Sequence, residues 1–222
     1  MERFSDRQVA TRFSFLRKTI VFGHSCMSAD IYLASVSPRR LELLRQIGIE
    51  PEVIPVNVDE TPKIGEPPTD YVLRLAHAKA EAGHRLFDHP PLPILAADTA
   101  VVLGDRILGK PRNRSQGLDM LRQLSGTSHE VLTAVALVTD RVETRLSRSL
   151  VTFRKISDRE AGGYWDSGEP EDKAGGYAVQ GQAAVFISEL SGSYSGVMGL
   201  PLFETAELLQ NVGICPLNNR PW

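Results

Sequence analysis

The sequence predicts an α/β protein in which helices flank a mixed, twisted central sheet. Helical and strand-like patterns alternate without the strict β–α repeat that a purely parallel sheet requires. The most apolar run, residues 94–103, predicts a central buried strand. A chain of 222 residues fits one large domain or two intimate lobes better than two independent domains.

The first element is a helix that follows a short apolar run. Ser37 is a favourable N-cap, Pro38 a favourable first residue and Gly48 a C-cap. Arg39 and Arg40 occupy the first turn, where the helix dipole disfavours cations. An anion bound by backbone N–H groups, serine hydroxyls and both guanidinium groups would resolve this conflict. Two solvated arginines are the alternative interpretation.

A strand is predicted at Val53–Val58, where Pro55 indicates a sheet edge, and it ends at the acidic pair Asp59–Glu60. A helix then runs from Thr69 to about Leu86. Its apolar stripe continues to Lys79, which is unusual for a lysine. The ammonium group either reaches solvent or points into a cleft beside the first helix.

Asp98 interrupts the central buried strand and is the most informative single residue. A buried unpaired charge is costly, so Asp98 must be protonated, paired with a cation or bound to a metal. Gly104–Asp105 predicts a hairpin turn, and the returning strand leads to Lys110. Ideal pleating places Lys110 on the face opposite Asp98, so the two act together only if the chain bulges or turns away at Gly109.

The remainder of the chain continues the alternation. Helices are predicted at 115–124, 157–165 and 202–210, and strands at 130–139, 150–153 and 183–187. The segment Glu169–Gly181 is a polar, glycine-rich loop of unusual length. Loops of this kind are more often functional than structural.

Composition excludes several classes of partner and cofactor. A net charge of −2 without a long basic run argues against a nucleic acid polymer. No segment approaches the length needed to span a membrane. Cys26 and Cys215 lack metal-ligand spacing and indicate reduced thiols in a cytoplasmic protein. The five histidines form no close pair, so carboxylates would hold any metal.

The residues together suit a metal-bound polyphosphate. They comprise a cationic helix N-terminus, two further lysines, an acidic pair and a buried aspartate. Carboxylates bind a hard cation such as Mg²⁺, cations neutralise phosphate oxygens, and one carboxylate can deprotonate a water. Neither a P-loop nor a dinucleotide fingerprint occurs. The residues alone therefore favour hydrolysis of a phosphoanhydride.

Several short motifs also occur in the order found in one known family. They are Leu-Ala-Ser-Val-Ser-Pro-Arg-Arg at 33–40, Val-Asp-Glu at 58–60, Arg-Leu-Ala-His-Ala-Lys-Ala at 74–80, Ala-Asp-Thr at 97–99 and Gly-Lys-Pro at 109–111. With later matches that extend to residue 201, the chain resembles the Maf nucleotide pyrophosphatases over about residues 31–210.

The resemblance implies hydrolysis of nucleoside triphosphates to monophosphate and pyrophosphate, with Mg²⁺ or Mn²⁺ as cofactor. It also implies two lobes around a cleft, similar to inosine triphosphate pyrophosphatases. Asp98 matches the family's general base, and Glu60 and Asp98 match its metal-binding positions. The phosphate-binding positions are matched by Ser35, Arg40, Lys79 and Lys110.

Within the family, Arg39, Thr99 and Gln180 match the specificity positions of the branch that acts on dTTP and UTP, a house-cleaning role. One alternative is the branch that acts on 7-methyl-GTP, which typically has Ser-Asp-Gln in place of Ala-Asp-Thr. Another is a nucleotide-binding regulator of cell division without significant turnover. The presence of the general base Asp98 together with Glu60 and Lys110 favours catalysis.

The resemblance also sets the expected domain boundaries. Residues 27–213 form the pyrophosphatase domain, residues 1–26 a disordered or artefactual extension, and residues 214–222 a tail. These expectations are compatible with a homodimer.

Overall fold

The computed structural model describes residues 29–217, so the expectations for residues 1–26 and for most of the tail lie outside the described residues. Seven strands form one sheet with the order β2-β1-β3-β5-β6-β7, and β4 also pairs with β3. The strands are β1 (Ile31–Leu33), β2 (Pro51–Val53), β3 (Ile94–Leu103), β4 (Arg106–Leu108), β5 (Ser128–Val138), β6 (Val142–Phe153) and β7 (Ile187–Ser191). β1 is parallel to β2 and β3, and the other pairs are antiparallel. The predicted mixed sheet is therefore confirmed.

In the described part of the chain, six α-helices flank this sheet. They are α1 (Pro38–Gln46), α2 (Pro68–His84), α3 (Arg114–Leu124), α4 (Asp158–Trp165), α5 (Tyr194–Met198) and α6 (Leu202–Asn211). Two short 3₁₀ helices, Ala174–Gly176 and Gln182–Phe186, lie in the connection between α4 and β7. Within residues 29–217, no helix combines the length and apolar character needed to cross a membrane.

The two faces of the sheet are covered differently. On one face, α2 packs along β3 and β5 through an apolar cluster that includes Val72, Ala76 and Ala80. The other face carries two apolar clusters, one with residues of α1 and α6 and one with residues of α3 and α4. Thr99 on β3 and its partner Thr133 on β5 lie between these two clusters. These two threonines thus separate the two apolar clusters on this face of the sheet.

Three sequence-based expectations about strands need correction. The strand predicted at 53–58 is β2, which ends at Val53, because Pro55 lacks the N–H group needed to continue the ladder. The segment predicted as a strand at 183–187 is mostly a 3₁₀ helix. β6 begins at Val142, eight residues earlier than predicted, because its charged outward-facing side chains hide the strand pattern.

Candidate active site

An opening in the sheet lies beside Asp98. β5 pairs with one edge of β3 over residues 94–102, so β1 and β4 share the other edge. β1 pairs only at the beginning of β3 and β4 only at its end, which leaves residues 96–100 without a strand partner on that edge within the described chain. Because β1 is parallel and β4 antiparallel to β3, both strands end facing this opening. The topology therefore brings Ser35 and Lys110 towards Asp98.

The Asp98 carboxylate faces α2 and forms part of a three-residue charge cluster. Lys79 Nζ lies 2.7 Å from Asp98 Oδ1 and 2.6 Å from Glu60 Oε1. Asp98 is only 6% exposed, and the Lys79 side chain is 14% exposed. The Lys79 ammonium thus points into the site rather than to solvent, and the buried aspartate is paired with a cation.

Burial and charge act in opposite directions on these carboxyl groups. Burial raises the pKa of Asp98 above its ordinary value, although Lys79 and Arg40 oppose this change. Partial burial also acts to raise the pKa of Glu60, but the Lys79 hydrogen bond and nearby cations outweigh it, so that this pKa is lowered. The pKa values of the two carboxyl groups in this cluster are therefore shifted in opposite directions.

On the opposite face of β3, Arg40 links three parts of the chain. Its Nε donates to the Gly199 carbonyl at 2.8 Å, and its terminal nitrogens donate to Ser35 Oγ at 3.1 Å and Thr99 Oγ1 at 3.4 Å. Burial lowers the pKa of Arg40, and the nearby Asp98 carboxylate opposes the shift. These contacts hold the guanidinium group at the opening beside Asp98.

The start of α1 differs in detail from the expectation. Pro38 is the first helical residue, but the Ser37 side chain makes no capping hydrogen bond. The Ser37 N–H group instead donates to Ser35 Oγ at 3.2 Å. Ser35 Oγ therefore connects the helix N-terminus with the Arg40 guanidinium group.

The three remaining predicted residues make fewer contacts. Lys110 is exposed and lowers the pKa of Glu60, which indicates that it lies near the charge cluster. Arg39 is half-buried and acts electrostatically on Arg40 and on Asp172 in the glycine-rich loop. Gln180 is exposed in a turn of that loop, and its side chain makes no hydrogen bond within residues 29–217.

Residues that sequence reasoning did not assign to the site hold it in place. The Thr133 hydroxyl donates to the Gly196 carbonyl at 2.8 Å and lies 3.1 Å from Thr99 Oγ1. A polar residue at the centre of an apolar strand pattern was the signal that could have identified Thr133. The carbonyl of Gly199, which accepts from Arg40, leaves no such signal because it belongs to the backbone.

The loop that carries Glu60 is held by α2. Tyr71 donates its hydroxyl to the Glu60 carbonyl at 3.0 Å, and Arg74 donates to the Thr61 carbonyl at 3.2 Å. Arg74 also pairs with both carboxylate oxygens of Glu66, at 2.6 and 2.8 Å. Helix α2 therefore supplies Lys79 to the site and also positions the backbone around Glu60.

Two carboxylates are available to hold a divalent cation. Within residues 29–217, no group of three or more His, Cys, Asp or Glu side chains could hold a metal ion. Glu60 and Asp98, however, already share one cationic group, the Lys79 ammonium. The pair fits a hard cation that completes its coordination with substrate oxygens and water.

The sequence is similar to known proteins over most of its length. Residues 30–212 match the family model described as Maf-like protein. A dTTP/UTP pyrophosphatase of Alkalilimnicola ehrlichii is 57% identical over 83% of this chain and 93% of its own length. That of Saccharophagus degradans is 55% identical over 82% of this chain and 88% of its own.

Among solved structures, the chain matches a nucleoside-triphosphatase, dITP/XTP pyrophosphatase, from Mycobacterium abscessus. The two chains are 21% identical with a TM-score of 0.37, and the match covers 57% of this chain and 74% of that one. The sequence matches cover nearly all of the described residues, and the chain therefore belongs to the Maf family.

Proposed function

We propose that this protein hydrolyses dTTP and UTP to the nucleoside monophosphate and pyrophosphate. The observation that carries the proposal is the convergence of Asp98, Lys79 and Arg40 on one opening in the sheet. The names of the relatives at 55–57% identity, dTTP/UTP pyrophosphatase, support the choice of substrate.

Each part of the site has a task in this reaction. Arg40, Lys79 and Lys110 supply positive charge to a substrate with several phosphate charges. The oxygen of a water molecule bonds to the α-phosphorus, the bond from this phosphorus to the bridging oxygen breaks, and pyrophosphate leaves with the electron pair. Asp98 accepts the water proton, and the burial that raises its pKa makes it a stronger base than an exposed aspartate.

Glu60 and Asp98 are the residues that would hold Mg²⁺ or Mn²⁺. Bound there, the cation would polarise phosphate oxygens and stabilise the charge that develops on them. Lys79 contacts both carboxylates, and its ammonium would pair with a phosphate oxygen if a metal cation were bound there. Chelation is therefore expected to stop turnover.

Recognition of the nucleobase of the substrate is assigned to Arg39, Thr99 and Gln180. An amide side chain offers both a donor and an acceptor, which can pair with O4 and N3–H of uracil or thymine. Gln180 is exposed and its amide makes no hydrogen bond within the described chain, so it is available for such a contact. Uracil and thymine differ by one methyl group, so a pocket for the nucleobase should separate these two bases poorly, within about 10–200-fold.

The deciding experiment compares kcat/KM for dTTP, UTP, CTP, GTP and 7-methyl-GTP, with pyrophosphate and orthophosphate measured separately. The expected result is release of pyrophosphate with dTTP and UTP as the best substrates. In ¹⁸O-labelled water, the label should enter the monophosphate. Label in the pyrophosphate would contradict attack at the α-phosphorus.

The alternatives predict different results in the same experiment. A clear preference for 7-methyl-GTP would assign the protein to the other branch. Nucleotide binding without turnover, despite added Mg²⁺ or Mn²⁺, would favour the regulator of cell division. Action in the cytoplasm and assembly into a homodimer belong to the same proposal, and gel filtration with light scattering would test the second.

A further inference from the structure

The turn that carries Gln180 is fastened at both ends to two side chains outside it. We call residues 178–183 the Gln180 turn. At its start, the Ala178 N–H group donates to the Tyr164 hydroxyl at 3.2 Å. At its end, the N–H groups of Gln182 and Ala183 donate to the two carboxylate oxygens of Glu169, at 2.9 and 3.4 Å. Inside the turn, the Gly181 N–H group donates to the Ala178 carbonyl at 3.1 Å.

The two fastening side chains act as a unit. The Tyr164 hydroxyl donates to Glu169 Oε1 at 2.8 Å, so one chain of hydrogen bonds runs from Ala178 through Tyr164 and Glu169 to Ala183. Tyr164 is 4% exposed and packs edge-on against Phe186 with ring centres 5.5 Å apart. The unit therefore connects the turn to the apolar core beside α4.

The backbone of the turn is built to approach this carboxylate. A Cβ atom at Gly181 would lie 2.3 Å from both carboxylate oxygens of Glu169, which is far too close. A side chain at position 181 would therefore displace the Glu169 carboxylate from this position. The segment 181–183 thus wraps around the Glu169 carboxylate, and the residue directly before it is Gln180.

We infer that Glu169 is a positioning residue that places the Gln180 amide for recognition of the base and thereby sets selectivity among pyrimidine triphosphates. The inference rests on the proposed function, which assigns the base contact to Gln180. Glu169 makes no hydrogen bond or ion pair with the charge cluster around Asp98 in the described residues. Its effect is therefore expected on the choice of substrate rather than on the chemical step.

The first test measures the turn without using activity. Glu169→Gln keeps the shape of the side chain but replaces the carboxylate, which accepts from two backbone N–H groups, with a neutral amide that has only one acceptor oxygen. Loss of these charge-assisted bonds should speed hydrogen exchange at Gln182 and Ala183 by about tenfold or more. The matched control is Glu171→Gln, because Glu171 is exposed in the same loop and its side chain makes no hydrogen bond in the described structure. Unchanged exchange in Glu169→Gln would overturn the inference.

The second test measures selectivity as the ratio of kcat/KM for UTP to that for CTP. Glu169→Gln should lower this ratio about tenfold, as expected for a lost charge-assisted hydrogen bond in the supporting structure. In a Gln180→Ala background the same substitution should leave the ratio unchanged, because the group that it positions is gone. Tyr164→Phe, which removes only the hydroxyl, should lower the ratio in the same direction.

The outcomes separate this inference from the proposed function. An equal loss on UTP and CTP would show a merely structural role and overturn the inference. A wild-type protein with no preference for UTP over CTP would overturn the proposed function. If the wild-type protein prefers UTP to CTP and Glu169→Gln retains the full preference, the inference is overturned but the proposed function is not.

Discussion

At the scale of single residues, the site contains one buried carboxylate, Asp98, and two cations that lie on opposite faces of β3, Lys79 and Arg40. Asp98 faces α2 and pairs with Lys79, whereas Thr99 faces α1 and accepts from Arg40. Successive residues of a strand point to opposite faces, so a single step along β3 leads from the proposed general base, Asp98, to Thr99, which contacts the proposed phosphate-binding Arg40. The opening beside residues 96–100 lets both faces act on one substrate.

Asp98→Asn should lower kcat by about 10²–10⁴-fold, because the amide keeps the shape of the side chain but cannot accept the water proton. Pyrophosphate release at saturating substrate measures the effect. The melting temperature and the near-ultraviolet circular dichroism should remain those of the folded protein. If turnover stayed near that of the wild type, Asp98 would be a structural carboxyl group and not the base.

Lys79→Met should tighten Mn²⁺ binding in the absence of nucleotide by about tenfold or more, since the ammonium competes for both carboxylates at short range. The measurement is titration of Mn²⁺ by electron paramagnetic resonance in mildly alkaline buffer. Turnover should fall in the same variant, because a cation for the phosphates is lost. Lys155→Met, at an exposed position away from the cluster, is the control. Weaker Mn²⁺ binding in Lys79→Met would contradict the competition.

At the scale of elements, the connection from α4 to β7 is held against β3 by a close backbone approach. Gly175 has a φ of +69°, and its N–H group donates to the Gly109 carbonyl at 3.0 Å. The same contact fastens the chain directly before Lys110. The glycine-rich loop and the end of β4 are thus joined at the candidate site.

Gly175→Ala should destabilise the protein by about 2–4 kcal/mol, from left-handed backbone strain together with overpacking. A Cβ atom there would lie 2.9 Å from Val101 Cγ1. The matched control is Gly163→Ala in α4, where a Cβ atom meets no atom within 4 Å. This control should stabilise by about 0.5–1 kcal/mol, because alanine is the better helix former. Urea midpoints measure both, and equal midpoints would refute the argument.

At the scale of the whole molecule, a buried histidine packs against the apolar cluster that includes residues of α3 and α4. His129 Nε2 lies 2.8 Å from the Tyr177 hydroxyl, and Nδ1 has no partner within the described residues. Its ring contacts Phe153 edge-on at 5.1 Å. Burial lowers the pKa of His129 from 6.5 to about 4, so the folded state keeps this side chain neutral.

Stability should therefore decrease as the pH falls from about 6.5 towards 4. The unfolded chain binds a proton at His129 in this window and the folded protein does not, which favours unfolding by roughly 3 kcal/mol at the acidic end. Melting temperatures across the window measure the effect. His129→Gln should flatten this dependence relative to the wild type, whereas His89→Gln, at an exposed position, should leave it unchanged. The same slope in His129→Gln and the wild type would contradict the assignment.

The sequence by itself determined the elements whose signals are local. Pro38 marks the start of α1, the hairpin pairs Leu103 with Arg106 as its two-residue turn requires, and the capping box at Ser157 opens α4. It also identified Asp98 through the cost of burying a charge in an apolar strand. The motif order was sufficient to indicate the family, which the comparisons then showed.

Only the tertiary structure decided which groups meet. The carbonyl that accepts from Arg40 belongs to Gly199, 159 residues later, and no local pattern records such a contact. Pleating alone left the relation of Lys110 to Asp98 open, because it depends on where the β3–β4 ladder ends. Likewise, a lysine on an apolar stripe reaches either solvent or a cleft, and only the packing of α2 on β3 placed it between Glu60 and Asp98. Propensity and periodicity act over a few residues, whereas these contacts depend on how distant elements pack.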